Sequence, residues 1–148
     1  MTVTASPILL YEQDLLLWTE ETIRHLKAKN FDELDLDNLI EEIETLGRSE
    51  KKELKSRLLV LFEHLLKRLY VPMPLEYNGW ERTIRGQRIQ LELVLEVSPS
   101  LKSQWQESCD QAWRLALKKV QGDYPDTEFP STIPFSMERL TLLNQNFW

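Results

Sequence analysis

Apolar residues recur at intervals of three and four along most of the 148-residue chain. Residues spaced in this way fall on one face of an α-helix, so the pattern predicts a series of amphipathic helices. The predicted helices cover residues 11–29, 34–70, 80–97 and 98–122. The second of these ranges is typical of two long helices, or of one helix interrupted near Gly47. We therefore expect an all-α, single-domain bundle of about five helices.

The last part of the chain, residues 123–148, lacks this periodicity. Its three prolines predict an irregular tail rather than another long helix. Ser136 is placed to cap a short helix that would run through Leu143. Phe147 and Trp148 are large apolar side chains, so we expect the tail to pack back on the helices and shield them from water.

Composition agrees with one helical domain over residues 1–148, within which residues 1–10 form an N-terminal extension and residues 123–148 an irregular tail with a short helix. Hydrophobic residues at 42% and charged residues at 28% are ordinary values for a globular protein. The only cysteine, Cys109, cannot form an internal disulfide and fits a reducing compartment. We find no basic leader and no uninterrupted run of about 18 apolar residues, so we expect a soluble, cytoplasmic protein.

The densest charge is a run of seven carboxylates, without a basic residue, between Asp32 and Glu44. Acidic side chains near a helix start are stabilised by the helix dipole, which favours a structural role. The same carboxylates suit the docking of a basic protein, and paired carboxylates also suit a metal ion or acid–base chemistry. The candidate partner surface consists of Asp32, Glu33, Asp35, Asp37, Trp113 and Trp148. The tryptophans are included because interfaces are enriched in aromatic anchors.

A second group of polar residues forms a candidate seam or site, in which Glu42, Glu44, Gln87 and Arg88 lie on or beside apolar stripes whereas Glu41 and His64 point away from them. The group consists of Glu41, Glu42, Glu44, His64, Gln87 and Arg88. Arg88 borders the stripe of its helix, so we predict that it pairs with Glu42 or Glu44, with Gln87 bonding nearby. These residues would then form a structural polar seam. The alternative is an interhelical cleft in which the Glu, His and Arg side chains converge on a substrate or small ligand.

The residue patterns of common cofactor sites are missing. A di-iron helical site places Glu three residues before His, but Thr22 precedes His25 and Leu61 precedes His64. Two histidines and one cysteine, well separated, do not supply a zinc site. Cys109 lies on an apolar stripe, where a free cysteine usually behaves as a small hydrophobe, so a nucleophilic pair with His64 is not favoured. We expect no cofactor and no metal.

Basic residues offer a further alternative, which is nucleic-acid binding. The candidate residues are Lys51, Lys52, Lys55, Arg82 and Arg85. The formal net charge of −6 counts against this function, because phosphate binding usually needs a basic surplus. Filter binding over a salt series tests it, since a protein without affinity at low salt is not a nucleic-acid binder.

Several short motifs keep their order along nearly the whole chain. They are Tyr11–Asp14, Asn38–Glu44, Gly47–Glu50, His64–Lys67, Gln87–Arg88, Ser98–Leu101 and Phe147–Trp148. In these motifs the chain resembles the domain of unknown function 29 family, which is abundant in cyanobacteria. The resemblance implies an all-helical single domain. The family has no agreed activity, so the resemblance assigns no catalytic residue.

Together these features lead us to expect a small acidic helical interaction module, or adaptor, without catalytic activity. Its partner would be another protein with a basic surface, and a homodimer stays open. The first alternative is an enzyme or small-ligand protein that uses the Glu/His/Arg cluster. The second is nucleic-acid binding through the basic residues of the third and fourth helices.

Overall fold

The computed structural model describes residues 7–148, and side chains from Leu10 onward. Every regular element among the described residues is helical, which confirms the predicted all-α class. The six α-helices are α1 Pro7–Gln13, α2 Leu15–Lys27, α3 Leu36–Tyr70, α4 Tyr77–Val97, α5 Trp105–Asp123 and α6 Arg139–Asn144. Short 3₁₀ segments precede α3, α4 and α5 at Phe31–Glu33, Pro74–Glu76 and Pro99–Gln104. None of the described helices combines the length and apolar character needed to span a membrane.

The beginning of the chain differs from the prediction of one helix over residues 11–29. Asp14 divides this stretch, because its carboxylate accepts a hydrogen bond from the Leu17 backbone amide at 3.0 Å and caps α2. Of the expected N-terminal extension, residues 1–6 lie outside the described residues, and Pro7 begins α1. The local cap therefore outweighs the continuous apolar periodicity.

The predicted interruption near Gly47 is wrong, because α3 is a continuous helix of 35 residues. A Cβ atom placed on Gly47 would meet nothing within 4 Å, so no other backbone lies close to this glycine. Glycine within a helix costs only about 1 kcal/mol relative to alanine. The good helix formers on both sides of Gly47 carry the helix through it.

Two other helix starts lie later than predicted. The fifth predicted helix was expected to begin at Ser98, but residues 99–104 form the 3₁₀ segment and α5 follows. The predicted cap at Ser136 is replaced by Glu138, whose carboxylate accepts from the backbone amides of Leu140 and Thr141. These bonds lower the pKa of Glu138, since they favour its charged form. A polar side chain thus fixes the start of α6, whereas the residue before α5, Gln104, makes no side-chain cap hydrogen bond.

The structure divides into two compact units. The first unit is Met1–Arg48, of which residues 7–48 are described, and the second is Ser49–Trp148. Helix α3 contributes its start to the first unit and its remainder to the second. The expected single domain stays a prediction, because each unit is compact by itself and one helix serves both.

The second unit contains a large hydrophobic core. Helices α3, α4, α5 and α6 and the 3₁₀ segment before α5 each contribute buried residues to it, among them Phe62, Ile84, Leu101, Cys109 and Leu142. The irregular tail packs against this core through Phe129, Ile133, Phe135, Met137, Phe147 and Trp148. The stacked rings of Phe135 and Phe147 lie 5.0 Å apart, and Phe135 also stacks on Phe62 at 5.8 Å.

Candidate functional surface

The acidic run before and within α3 divides into a structural part and an exposed part. Asp35 is buried, and its carboxylate accepts from the side-chain amide of Asn38 at 2.6 Å and from its backbone amide at 3.4 Å. Its backbone carbonyl accepts the first hydrogen bond of α3, so Asp35 is a helix cap. Asp32, Glu33 and Asp37 are exposed. Within the acidic run, these three carboxylates are the part of the predicted partner surface that a protein could contact, and the half-buried Trp148 lies in the second unit.

The three glutamates of the predicted seam have partners within the first unit. Glu41 and Glu44 are both exposed and share Arg48, with O···N distances of 3.1 and 3.7 Å. Glu42 accepts a hydrogen bond from the Tyr11 hydroxyl at 2.6 Å. That bond raises the pKa of Tyr11, because the nearby carboxylate favours the protonated phenol. Surface ion pairs contribute little to stability, so Glu41 and Glu44 remain open to a basic partner.

The start of α3 also exposes apolar side chains at helical spacing. We call Leu36, Ile40, Ile43 and Leu46 the α3 stripe; their exposed fractions are 55, 52, 60 and 67%. Asp37 and Glu44 border this stripe on the helix surface, since each follows a stripe residue in sequence. An apolar stripe with an acidic border suits contact with another macromolecule.

Burial differs sharply between the units. Among the described residues, Trp18 is the one large apolar side chain that the first unit buries, whereas ten are exposed. Outside the α3 stripe the exposed ones are Leu15, Leu16, Leu17, Ile23, Leu26 and Phe31. The second unit buries 21 hydrophobic residues and exposes seven. The first unit therefore leaves uncovered the kind of surface that the second unit packs away.

Charge is divided in the same way. Residues 1–48 contain 11 carboxylates against four lysines and arginines, whereas residues 49–148 contain 13 against 14. The acidity of the whole chain thus resides in the first unit. A single value for net charge conceals this division.

His64, in the second unit, belongs to a structural group of polar residues. Its Nδ1 lies 2.8 Å from the Val60 carbonyl oxygen, and burial lowers the pKa of the imidazole. The neighbouring Glu63 is buried and pairs with Lys67 and Lys119, each at 3.1 Å. Burial alone would raise the pKa of Glu63, but hydrogen bonds from the two ammonium groups outweigh it and leave the pKa lowered.

Arg88 also finds its partners within the second unit. Its Nη2 donates to the Gln145 backbone carbonyl at 2.6 Å, and its guanidinium lies 5.6 Å from the ring centroid of Phe147. Partial burial lowers the pKa of Arg88. Arg88 Nε and Gln87 Oε1 are buried without a hydrogen-bond partner in the described structure. The predicted bond of Gln87 to the seam thus stays a prediction.

A related arginine contact was missed by the sequence analysis. The guanidinium of Arg68 lies 3.9 Å from the ring centroid of Tyr77 and 5.6 Å from that of Trp148, and Arg68 Nε lies 3.4 Å from Glu81. Cations over aromatic faces are attracted by the ring quadrupole. The short, proline-bounded connection between α3 and α4 is the one signal that could have placed Arg68 beside Tyr77.

The six seam residues are therefore divided between two units, three in each. The structure brings Glu41 and Glu44 together on Arg48, and gives Glu42, His64 and Arg88 separate partners. The pairing of Arg88 with Glu42 or Glu44 stays a prediction.

The prediction that Trp113 belongs to a partner surface is corrected by its burial. Trp113 is 7% exposed and packs edge-on against Phe62 and Phe135, so it lies in the core.

The basic residues of the nucleic-acid alternative differ in how far they are exposed to solvent. Lys51, Lys52, Arg82 and Arg85 are exposed and Lys55 is half-buried, all in the second unit. Within residues 7–148, no group of three or more His, Cys, Asp or Glu side chains is arranged to hold a metal ion. Burial raises the pKa of Cys109 to about 12, which keeps the thiol protonated and unreactive.

Comparison with known proteins identifies a family but no activity. The family model described as "Domain of unknown function DUF29" matches residues 10–148. No curated protein matches the chain, and no solved structure does.

Proposed function

Given that this chain belongs to the family described as Domain of unknown function DUF29, we propose that it is a small acidic adaptor that binds a basic protein and catalyses no reaction. The family description names no activity, so the support for this function comes from the charge and exposure of the residues themselves. The observation that carries it is the concentration of both negative charge and exposed apolar side chains in the first unit.

The charge supports a basic partner. With 11 carboxylates against four basic side chains, the first unit repels acidic proteins and nucleic acids and attracts basic surfaces. Asp32, Glu33 and Asp37 are exposed, so their charge is available to a partner. Complementary charge of this kind mainly provides selectivity and fast encounter.

The exposed apolar side chains supply the affinity that charge alone does not. Protein interfaces combine an apolar centre with a polar rim, and larger exposed apolar patches mark such interfaces. The α3 stripe and the acids beside it provide both components on one short stretch of helix.

The small-ligand alternative is less well supported. It would require Glu41 and Glu44 to leave Arg48, His64 to leave the Val60 carbonyl and Arg88 to leave the Gln145 carbonyl. Each of these movements would break an existing contact, and the structure shows no new contact that would replace it.

Native mass spectrometry of the protein purified gently from its own cells tests the proposal. We expect a complex heavier than the 17.6 kDa chain by the mass of a basic protein. Asp32→Asn, Glu33→Gln and Asp37→Asn combined should reduce the fraction of the protein found in that complex, because the substitutions remove three exposed charges without removing side-chain volume.

The matched control neutralises three exposed carboxylates of the second unit, through Glu92→Gln, Glu96→Gln and Glu107→Gln. This variant should keep the complex. A bare monomer from the wild-type protein, or equal loss of the complex in both variants, would contradict the proposal. A bound nucleic acid or small molecule would establish one of the alternatives instead.

A further inference from the structure

We infer that the α3 stripe is the docking site for an amphipathic helix with basic flanks, supplied by the partner protein. This inference rests on the proposed function and specifies the form of the partner. It concerns Leu36, Ile40, Ile43 and Leu46 together with the acids that border them.

The spacing of the stripe selects a helix as its occupant. Its residues are separated by four, three and three positions, which places them on one side of α3 along about 15 Å of helix. A helix that crosses or follows such a stripe presents its own apolar residues at intervals of three and four. Two to three turns of a partner helix would therefore cover all four side chains.

The charges beside the stripe select basic flanks. Asp37 and Glu44 lie along one border of the stripe, and Arg48 is the one basic residue of α3 within the first unit. Lysine or arginine beside the apolar residues of the partner helix would pair with these carboxylates. Such residues would also extend their apolar stems over the edge of the stripe.

The same charges disfavour a second copy of this chain as the occupant. Two first units brought face to face would place 22 carboxylates against eight basic side chains, since each unit carries 11 and four. Like charges across an interface are costly. Self-association through this stripe would need basic side chains opposite its carboxylates, and a second copy of the stripe brings carboxylates instead.

Three synthetic peptides of about 20 residues, long enough for several helical turns, test the inference by isothermal titration calorimetry with the intact protein. The first has leucine at every third or fourth position with lysine beside it. The second has the same composition in an order that scatters the leucines around the helix. The third replaces each lysine of the first by glutamate. We expect the first peptide alone to bind measurably.

A pair of variants locates the binding site. Leu36→Ser with Ile40→Ser should weaken binding of the first peptide by about ten-fold or more, because two apolar contacts are lost. Ile89→Ser with Leu93→Ser is the matched control, since these α4 residues have the same spacing and similar exposure, 56 and 48%. The control should bind like the wild-type protein.

The outcomes separate this inference from the proposed function. Equal binding of the first two peptides would mean that charge alone acts, which overturns helix docking and leaves a basic partner in place. Binding of the acidic peptide, equal loss in both variant pairs, or a dimer that the Leu36/Ile40 variant abolishes would also overturn the inference. If neither basic peptide binds at low salt, the proposed function fails with it.

Discussion

Two stretches of the same helix make the clearest comparison in this protein. Leu36, Ile40 and Ile43 each lie 18 residues before Leu54, Leu58 and Leu61. Eighteen residues are five whole turns of an α-helix, so the two sets have the same helical phase. The later set is completely buried, whereas the earlier set is between 52 and 60% exposed. One apolar pattern is thus part of a core in one unit and an uncovered surface in the other.

The difference shows that periodicity and burial are separate properties. The second unit supplies α4, α5, α6 and the tail to cover its part of α3. Within residues 7–48, the first unit has only two short helices and a 3₁₀ turn besides the start of α3. A unit with so little material cannot cover every apolar side chain it contains.

The largest expected effect comes from the matched substitutions Leu54→Ala and Leu36→Ala. Leu54→Ala should lower the free energy of unfolding by about 3–4 kcal/mol, because it leaves a cavity in a packed core. Leu36→Ala should change it by no more than about 0.5 kcal/mol, because the side chain is exposed. Urea denaturation followed by far-ultraviolet circular dichroism measures both, and helix propensity cancels since both changes are leucine to alanine in α3. Similar losses from the two variants would show that the stripe is covered in the isolated protein.

A smaller difference in unfolding free energy is expected between substitutions in the buried ion pairs of the second unit and in the exposed ion pairs of the first. Glu63→Gln removes the carboxylate that Lys67 and Lys119 contact, and should cost about 2 kcal/mol of unfolding free energy. Glu41→Gln removes an exposed partner of Arg48 and should cost almost nothing.

The effect of Glu63 should depend on pH. Its pKa is lowered in the folded protein from the ordinary value of 4.5, so its contribution is complete above pH 4.5 and is lost as the pH falls through the lowered native value. The difference between the wild-type protein and Glu63→Gln should therefore shrink below pH 4.5. A difference that grows on acidification would contradict the geometry of the pair.

The smallest expected effect concerns Arg88, which is predicted to pair with Glu42 or Glu44 of the first unit. Arg88→Ala should lower the unfolding free energy by about 1 kcal/mol, through loss of the Gln145 hydrogen bond and the contact with Phe147. Arg85→Ala, an exposed arginine on the same helix, is the control and should have little effect.

A double-mutant cycle with Glu42→Gln tests the seam itself. If Arg88 acts only within the second unit, the costs of the two substitutions should add. A coupling of about 0.5 kcal/mol or more would establish the predicted pairing.

The helical class could be predicted from the sequence because apolar periodicity reports directly on local backbone structure. The helix ends could not, because single polar contacts decide them. Asp14 caps α2 within an unbroken apolar pattern, and Glu138 takes the place predicted for Ser136. Gly47 did not interrupt α3, because helix formers on both sides outweigh one glycine.

The candidate partner surface stays a prediction, and the sequence indicated the exposure of only some of its residues. The exposed carboxylates were found from charge density alone, but Asp35 is a buried cap and Trp113 a core residue. Trp113 is covered partly by Phe135, which lies 22 positions further along the tail. The exposure of the α3 stripe could not be predicted either, because a pattern identifies an apolar face without showing what covers it.

The division of charge between the two units also has a kinetic consequence. A partner with a basic surface approaching by diffusion would be drawn to the 11 carboxylates of the first unit before any contact forms. Added salt screens this attraction beyond about 8 Å at physiological ionic strength. Association should therefore slow steeply as salt increases, while dissociation, which is set by the apolar contacts, should change much less.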